Sequence, residues 1–136
     1  MYSFCTLFDS HYLTRGVALY ESLLANCPKF HLYIYAFDDA SYKILSSLKL
    51  THATIVSLDE FEDDALLQVK PARSVGEYCW TCTPSVIKHT IETYQLPACT
   101  YLDADIYFFS DPAPLIDEIG DQSILITEHR YTPEYD

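Results

Sequence analysis

Two aspartates, Asp103 and Asp105, interrupt the otherwise apolar segment 101–109. Burying one unpaired carboxylate is costly, and burying two that repel each other costs more. We therefore expect the pair at the end of a strand, facing a cavity, with a cation close to its oxygen atoms. Carboxylate oxygens are the ligands that hard divalent ions such as Mg²⁺ and Mn²⁺ prefer. The segment predicts a metal site at the mouth of an α/β sheet, with both aspartates as ligands.

A second polar segment, residues 8–12, follows the first predicted strand. Asp9 can accept a hydrogen bond from a nucleobase N–H there, and the ring of Tyr12 can stack on a base. Two alternatives stay open, because an aspartate at such a position also caps helices and a tyrosine also packs in cores. The sequence has no Gly-x-Gly-x-x-Gly and no Gly-Lys-Ser/Thr loop. A metal held by aspartates is then the remaining way for so acidic a chain to bind a diphosphate.

Strands and helices alternate along the chain, and they must position these residues. Short apolar runs predict strands, and apolar residues at helical spacing predict helices. Strands are predicted at 2–8, 30–37, 53–57, 98–102 and 123–127, and helices at 12–25, 39–48, 76–94 and from 110 to about 120. Pro84 requires the third of these helices to kink or restart. The order predicts an α/β fold with a mostly parallel sheet flanked by helices, which binds ligands outside the carboxyl ends of its strands.

Composition and charge limit the possible functions. The 136 residues make one domain, residues 1–136, and 49% are apolar, which is enough for a core. The net charge of −12 disfavours a nucleic-acid partner, because phosphate backbones require a basic surface. No apolar run approaches the roughly 18 residues of a membrane span, so no transmembrane segment is expected. The N-terminus lacks the features of a signal peptide, and the five cysteines are an odd number, which favours a reducing cytoplasm.

Four segments, taken in order, resemble a known family. They are Thr6-Leu7-Phe8-Asp9-Ser10-His11-Tyr12, the stretch from Tyr78 to Ser85 that leads into Lys88, Tyr101-Leu102-Asp103-Ala104-Asp105, and Ser110-Asp111-Pro112. The set resembles the nucleotide-binding half of GT-A glycosyltransferases, in which the third segment is the Asp-x-Asp motif. The resemblance covers nearly the whole chain. It implies a Rossmann-like GT-A fold, truncated at the C-terminus, that transfers a sugar from a nucleotide-diphospho-sugar donor.

The resemblance also implies roles for single residues. Asp103 and Asp105 would bind a Mn²⁺ or Mg²⁺ ion that bridges the two phosphates of the donor. The residues implied to bind the nucleotide-sugar are Leu7, Asp9, Tyr12, Lys88, Asp103 and Ala104. Many members carry an arginine at the position of Val86. A third metal ligand, often a histidine, usually comes from a later segment, and His129 is too close to the motif to replace it. The acceptor would be a saccharide, lipid or protein hydroxyl, bound largely outside this chain.

Three alternatives remain. A haloacid-dehalogenase-like phosphatase would use Asp103 as its nucleophile, although that family carries Thr or Val at the position of Tyr107. Cys79 and Cys82 have the Cys-x-x-Cys spacing of zinc and redox sites, which Cys5, Cys99 or His89 would have to complete. The third alternative is a non-catalytic fragment that serves only as a structural or partner-binding piece.

Overall fold

The computed structural model describes residues 1–122 and 124–126 of the chain. Its strands are β1 Tyr2–Phe8, β2 Phe30–Ala36, β3 Ala53–Ser57 and β4 Thr100–Tyr101. Its α-helices are α1 Leu13–Asn26, α2 Asp39–Leu48, α3 Leu58–Phe61, α4 Asp64–Val69, α5 Val75–Tyr94 and α6 Ala113–Ile119. Two short 3₁₀ turns, Ser10–Tyr12 and Lys70–Ala72, complete the assigned elements. None of the helices in this part of the chain is both long and apolar enough to cross a membrane.

All four strands are parallel and lie in the order β3-β2-β1-β4. The chain moves outward from β1 to β2 and β3, and then returns across the sheet to place β4 on the other side of β1. The predicted α/β class and parallel sheet are confirmed. The reversal of strand order falls between β1 and β4, and open sheets of this kind bind ligands at such a point.

Alternate residues of the strands supply two cores, one on each face of the sheet. The first core packs α1 and α2 against the sheet and includes Phe4, Phe8, Leu19, Leu23, Leu32, Ile34 and Leu45. The second packs α5 and the short helices α3 and α4 against the opposite face and includes Leu7, Tyr33, Tyr35, Phe61, Leu66, Tyr78, Cys82 and Val86. The sheet is therefore covered on both sides, as a parallel sheet requires.

Local sequence explains where α5 begins and why it continues. Ser74 and Glu77 form a capping box, in which the Ser74 backbone N–H and hydroxyl each donate to the Glu77 carboxylate over 2.8 Å. The sequence predicted that the helix would kink or restart at Pro84. The helix includes Pro84 without interruption, so it does not restart there. Pro84 is exposed, while Cys82 and Val86 on either side of it are fully buried and hold the helix on the sheet.

Two predicted strands differ from the structure. The strand predicted at 98–102 is reduced to Thr100–Tyr101, which pair with Phe4 and Cys5 of β1. The strand predicted at 123–127 is not observed at 124–126, where no pairing with a described strand is formed, and 123 and 127 lie outside the described residues. His129 also lies outside them. Residues 59–64, five of which are acidic, contain the end of α3 and the start of α4, and the N-caps of these helices are Ser57 and Asp63.

Candidate functional site

A cavity of about 490 Å³ opens at the carboxyl ends of β1 and β4, beside the N-terminal half of α5. Its lining residues are Leu7, Phe8, Asp9, Tyr12, Val75, Gly76, Cys79, Trp80, Thr83, Tyr101, Asp103, Ala104 and Asp105. The cavity lies at the point where the strand order reverses. It brings together every residue predicted to bind the donor or its metal, except Lys88.

The two aspartates of the motif face the cavity because their neighbours are anchored in the core. The Leu102 N–H donates to the Cys5 carbonyl over 2.9 Å, which extends the pairing of β4 with β1. Leu102 and Ala104 are buried, so the alternating Asp103 and Asp105 side chains are left exposed. Within the described residues, neither carboxylate has a hydrogen-bond or ion-pair partner. Both are therefore available to a ligand.

The oxygen atoms of these two side chains fit a hard divalent cation. No group of three His, Cys, Asp or Glu side chains that could hold a metal ion occurs in residues 1–122 and 124–126. A cation held here would thus take two protein carboxylates, with water or a bound ligand completing its coordination. Mg²⁺ in particular commonly binds through one or two carboxylates together with substrate phosphates.

The segment after the aspartates is tied to α1. The Phe108 N–H donates to the Ser22 hydroxyl over 3.1 Å, and the Asn26 amide donates to the Phe108 carbonyl over 2.9 Å. Ser22 is completely buried, so its hydrogen bond with Phe108 is on the buried side of α1. These contacts fix the path of the chain as it leaves the cavity.

Asp9 caps, and Tyr12 ends, the 3₁₀ turn Ser10–Tyr12 that joins β1 to α1. Asp9 caps this turn by accepting a hydrogen bond from the His11 N–H over 2.9 Å, so the capping alternative is observed alongside its place in the cavity wall. Tyr12 is 43% exposed, which excludes the core-packing alternative. The Arg15 guanidinium carbon lies 4.5 Å from the centroid of the Tyr12 ring, within the range of a cation–π contact.

Asp38 holds this turn in place from the neighbouring strand end. Its Oδ2 atom accepts from the Ser10 N–H over 2.9 Å and from the Ser10 hydroxyl over 2.6 Å, and Oδ1 accepts from the Ser41 N–H over 2.7 Å. Burial raises the pKa of Asp38, but the hydrogen bonds from Ser10 and Ser41 outweigh burial and lower the pKa below its ordinary value. Asp38 therefore links the cap of α2 to the turn that carries Asp9 and Tyr12.

Helix α5 supplies a wall of the cavity that the sequence interpretation did not assign to the site. Gly76, Cys79, Trp80 and Thr83 recur at helical spacing on this side of α5, and Trp80 is 76% exposed. Burial raises the pKa of Tyr101 to about 12, a hydrogen bond with Thr83 opposes this, and the charge of Asp103 adds to it. The Tyr101 hydroxyl therefore stays neutral. The signal for these residues was their i, i+3, i+4, i+7 spacing on α5, beside the stripe of buried residues.

Lys88 lies outside the cavity. Its side chain is 73% exposed, and its Nζ atom lies 3.9 Å from Glu92 Oε1, one turn further along α5. Val86, at the position where many GT-A members carry arginine, is fully buried. The charged lining of the cavity consists of Asp9, Asp103 and Asp105 alone among the described residues.

Cys79 and Cys82 lie in different environments. Cys79 lines the cavity, whereas Cys82 is fully buried between α5 and the sheet. His89, considered as a further ligand, has its Nδ1 atom 2.8 Å from the Tyr35 hydroxyl. All five cysteines fall in the described part of the chain, and all are free thiols.

Two proteins of Bacillus subtilis strain 168 are similar to this chain. The uncharacterized protein YfnD is 33% identical over 135 residues, which are 98% of this chain and 43% of that protein. The uncharacterized protein YfnF is 29% identical over 126 residues, which are 92% of this chain and 42% of that protein. The chain thus spans about two fifths of the length of these curated relatives. No protein-family profile matches it.

Proposed function

We propose that this chain binds a nucleotide-diphospho-sugar through a divalent metal ion, as the donor-binding part of a GT-A glycosyltransferase. One observation carries the proposal: a single cavity joins the polar turn after β1 to the Asp-x-Asp pair after β4. These segments come from distant parts of the sequence, and the chemistry of each one by itself indicates a ligand site. The position at the reversal of strand order supports a ligand site independently.

Charge explains why the site would need a metal. The three aspartates of the cavity repel a diphosphate, and no lysine or arginine is among the lining residues. Asp103 and Asp105 would hold Mn²⁺ or Mg²⁺ against the two phosphates. The bound ion supplies Lewis-acid stabilisation of the charge that develops on the leaving diphosphate. The protein contributes two carboxylates on a segment that the buried Leu102 and Ala104 anchor, and these would orient the donor.

The rest of the cavity suits a nucleoside. The exposed ring of Tyr12 offers a stacking surface, and the Asp9 carboxylate offers an acceptor for a base N–H. Leu7 and Ala104 give apolar contacts between the turn and the metal ligands. The neutral Tyr101 hydroxyl and the Thr83 hydroxyl are polar groups on the opposite wall. A few polar groups among apolar and aromatic side chains are typical of small-molecule sites.

We propose that the transfer reaction requires a longer protein, similar in length to the two relatives. We place the acceptor, a saccharide, lipid or protein hydroxyl, against elements outside this chain. We also propose a reducing cytoplasm as its setting, since the five cysteines are free thiols.

Calorimetric titration with uridine, guanosine and thymidine diphospho-sugars, each with and without Mn²⁺, tests the proposal. We expect one of the three donors to bind in the presence of Mn²⁺ and to lose at least tenfold in affinity without it. Asp105→Ala should abolish the metal-dependent gain, whereas Asp59→Ala, which removes an exposed carboxylate of α3, should retain it. Equal binding with and without Mn²⁺ would contradict the proposal. Trapping of a phospho-aspartate at Asp103 would favour the phosphatase instead.

A further inference from the structure

A second, smaller cavity of about 150 Å³ adjoins the first one, and Val75 and Cys79 line both. The residues that line it are Phe37, Leu58, Lys70, Arg73, Ser74, Val75, Tyr78 and Cys79. It lies where the 3₁₀ turn Lys70–Ala72 leads into the N-terminus of α5. Its volume suits a group of a few heavy atoms rather than a whole sugar or base.

The two adjoining cavities have opposite charges. The first is lined by three aspartates and by no basic residue, and the second by Lys70 and Arg73 and by no acidic residue. Such a pair of basic side chains is notable in a chain with only 8 lysines and arginines against 20 acidic residues. A ligand that spans both cavities would need a metal cation beside it in the first cavity, and would place an anionic group of its own in the second.

Of the two basic side chains, Arg73 is the one free to bind a ligand. Lys70 Nζ lies 2.6 Å from Glu62 Oε1, and this carboxylate, whose side chain is 8% exposed, also accepts from the Tyr78 hydroxyl over 2.6 Å. Glu62 thereby neutralises Lys70 and fixes Tyr78 as a wall of the cavity. Arg73 is exposed and has no ion pair or side-chain hydrogen bond with any described residue. Its planar guanidinium is suited to carboxylate and phosphate.

We propose that this second cavity is an anion-binding subsite in which Arg73 binds a phosphate or carboxylate group. Resting on the proposed function, we further infer that this group belongs to the ligand whose diphosphate occupies the first cavity. Phe37 and Leu58 form apolar walls beside the guanidinium, and an apolar wall lowers the local dielectric and strengthens the attraction between the anion and Arg73. The favoured ligand therefore carries a negative charge beyond its diphosphate, as an acidic sugar does.

The anion site itself is tested without a nucleotide or a metal. Inorganic phosphate and, separately, acetate are titrated into the ¹⁵N-labelled chain, and the amide signals of residues 70 and 73–79 are followed. We expect saturable shifts there, weakened at least tenfold by Arg73→Gln and largely restored by Arg73→Lys. Lys43→Gln, which removes the same charge from an exposed position on α2, should leave the affinity unchanged. Shifts located elsewhere, or equal affinity in Arg73→Gln, would overturn the site.

A second arm distinguishes an anion carried by the ligand from a free anion. Uridine diphosphoglucuronate and uridine diphosphoglucose, which differ in one carboxylate, are compared by calorimetry with Mg²⁺. We expect the glucuronate to bind at least fivefold more tightly, and Arg73→Gln to remove that preference. Binding of both without a preference would overturn the subsite and leave the proposed function standing. Phosphate binding at Arg73 without binding of either nucleotide-sugar would support the anion site, and it would count against the proposed function once the guanosine and thymidine diphospho-sugars also fail to bind.

Discussion

Asp103 and Asp105 stand on either side of Ala104, and the burial of that alanine turns both carboxylates toward the cavity. The sequence was sufficient to select them, because two carboxylates in an apolar segment have few stable placements. The sequence was not sufficient to predict that Lys88 lies outside the cavity. Five positions beyond Thr83, Lys88 is rotated by about 140° around the axis of α5, and so it misses the cavity. The direction in which Lys88 projects depends on which side of α5 contacts the sheet, and the sequence alone does not give this.

Stacking on Tyr12 leads to a prediction at the scale of a residue. Tyr12→Ala should weaken binding of the nucleotide-sugar by about 1–3 kcal/mol, the typical value of one base–aromatic stack. Tyr42→Ala is the matched control, because Tyr42 is a similarly exposed tyrosine on α2, away from the cavity. Calorimetry on both variants measures the difference. Equal affinities would remove Tyr12 from the proposed base site.

Asp38 gives a prediction for pH dependence. Because hydrogen bonds lower its pKa in the folded state, the ionised form stabilises the fold. This contribution is present above about pH 4, the ordinary value of an aspartate, and is lost as pH falls toward the lowered pKa. Asp38→Ala should lower the free energy of unfolding by about 1–3 kcal/mol at pH 7 and should flatten its decline in acid.

Urea unfolding of the two proteins between pH 7 and pH 3 provides the measurement. Asp39→Ala, which removes the next carboxylate along the chain, is the control and should retain the acid dependence. A parallel decline in the wild type and in Asp38→Ala would show that Asp38 does not hold the turn.

Among the elements, the contact of α1 with β1 shapes the entrance to the cavity. A Cβ atom added at Gly16 would lie 2.3 Å from ring atoms of Phe8, which is buried and lines the cavity. The absence of a side chain at Gly16 therefore lets α1 approach the end of β1. The sequence indicated the helix, but this close approach depends on how the helix packs, and no periodicity reveals it.

The two helical glycines should respond oppositely to the same substitution. Gly16→Ala should destabilise the fold by about 1–3 kcal/mol, because Phe8 must leave its place in a packed core. Gly76→Ala should stabilise it by up to about 1 kcal/mol, because nothing lies within 4 Å of the added Cβ and alanine favours the helix. Thermal unfolding of both variants decides the point. A Gly16→Ala protein as stable as the wild type would refute the close packing inferred for Phe8.

At the scale of the whole molecule, the return of the chain across the sheet creates the site. Because β4 is placed next to β1, the turn after β1 meets the motif after β4. The sequence predicted the parallel α/β sheet, since its elements alternate regularly. The strand order and the basic second cavity were not predicted, because both depend on which strands become neighbours. The molecule therefore combines an acidic surface, one cavity lined by aspartates and one small basic cavity beside it.

Binding of Mn²⁺, followed by the electron paramagnetic resonance signal of the free ion, tests directly whether Asp103 and Asp105 hold a metal ion together with a nucleoside diphosphate. Mn²⁺ is titrated into the chain with and without an equimolar mixture of uridine, guanosine and thymidine diphosphates. We expect one bound ion whose affinity rises at least tenfold with the diphosphates, beyond the binding of Mn²⁺ by the diphosphates alone. Asp103→Asn/Asp105→Asn should lose this gain, whereas Asp59→Asn/Asp64→Asn should retain it. A gain of equal size in both double variants would contradict the assignment of Asp103 and Asp105 as the metal ligands.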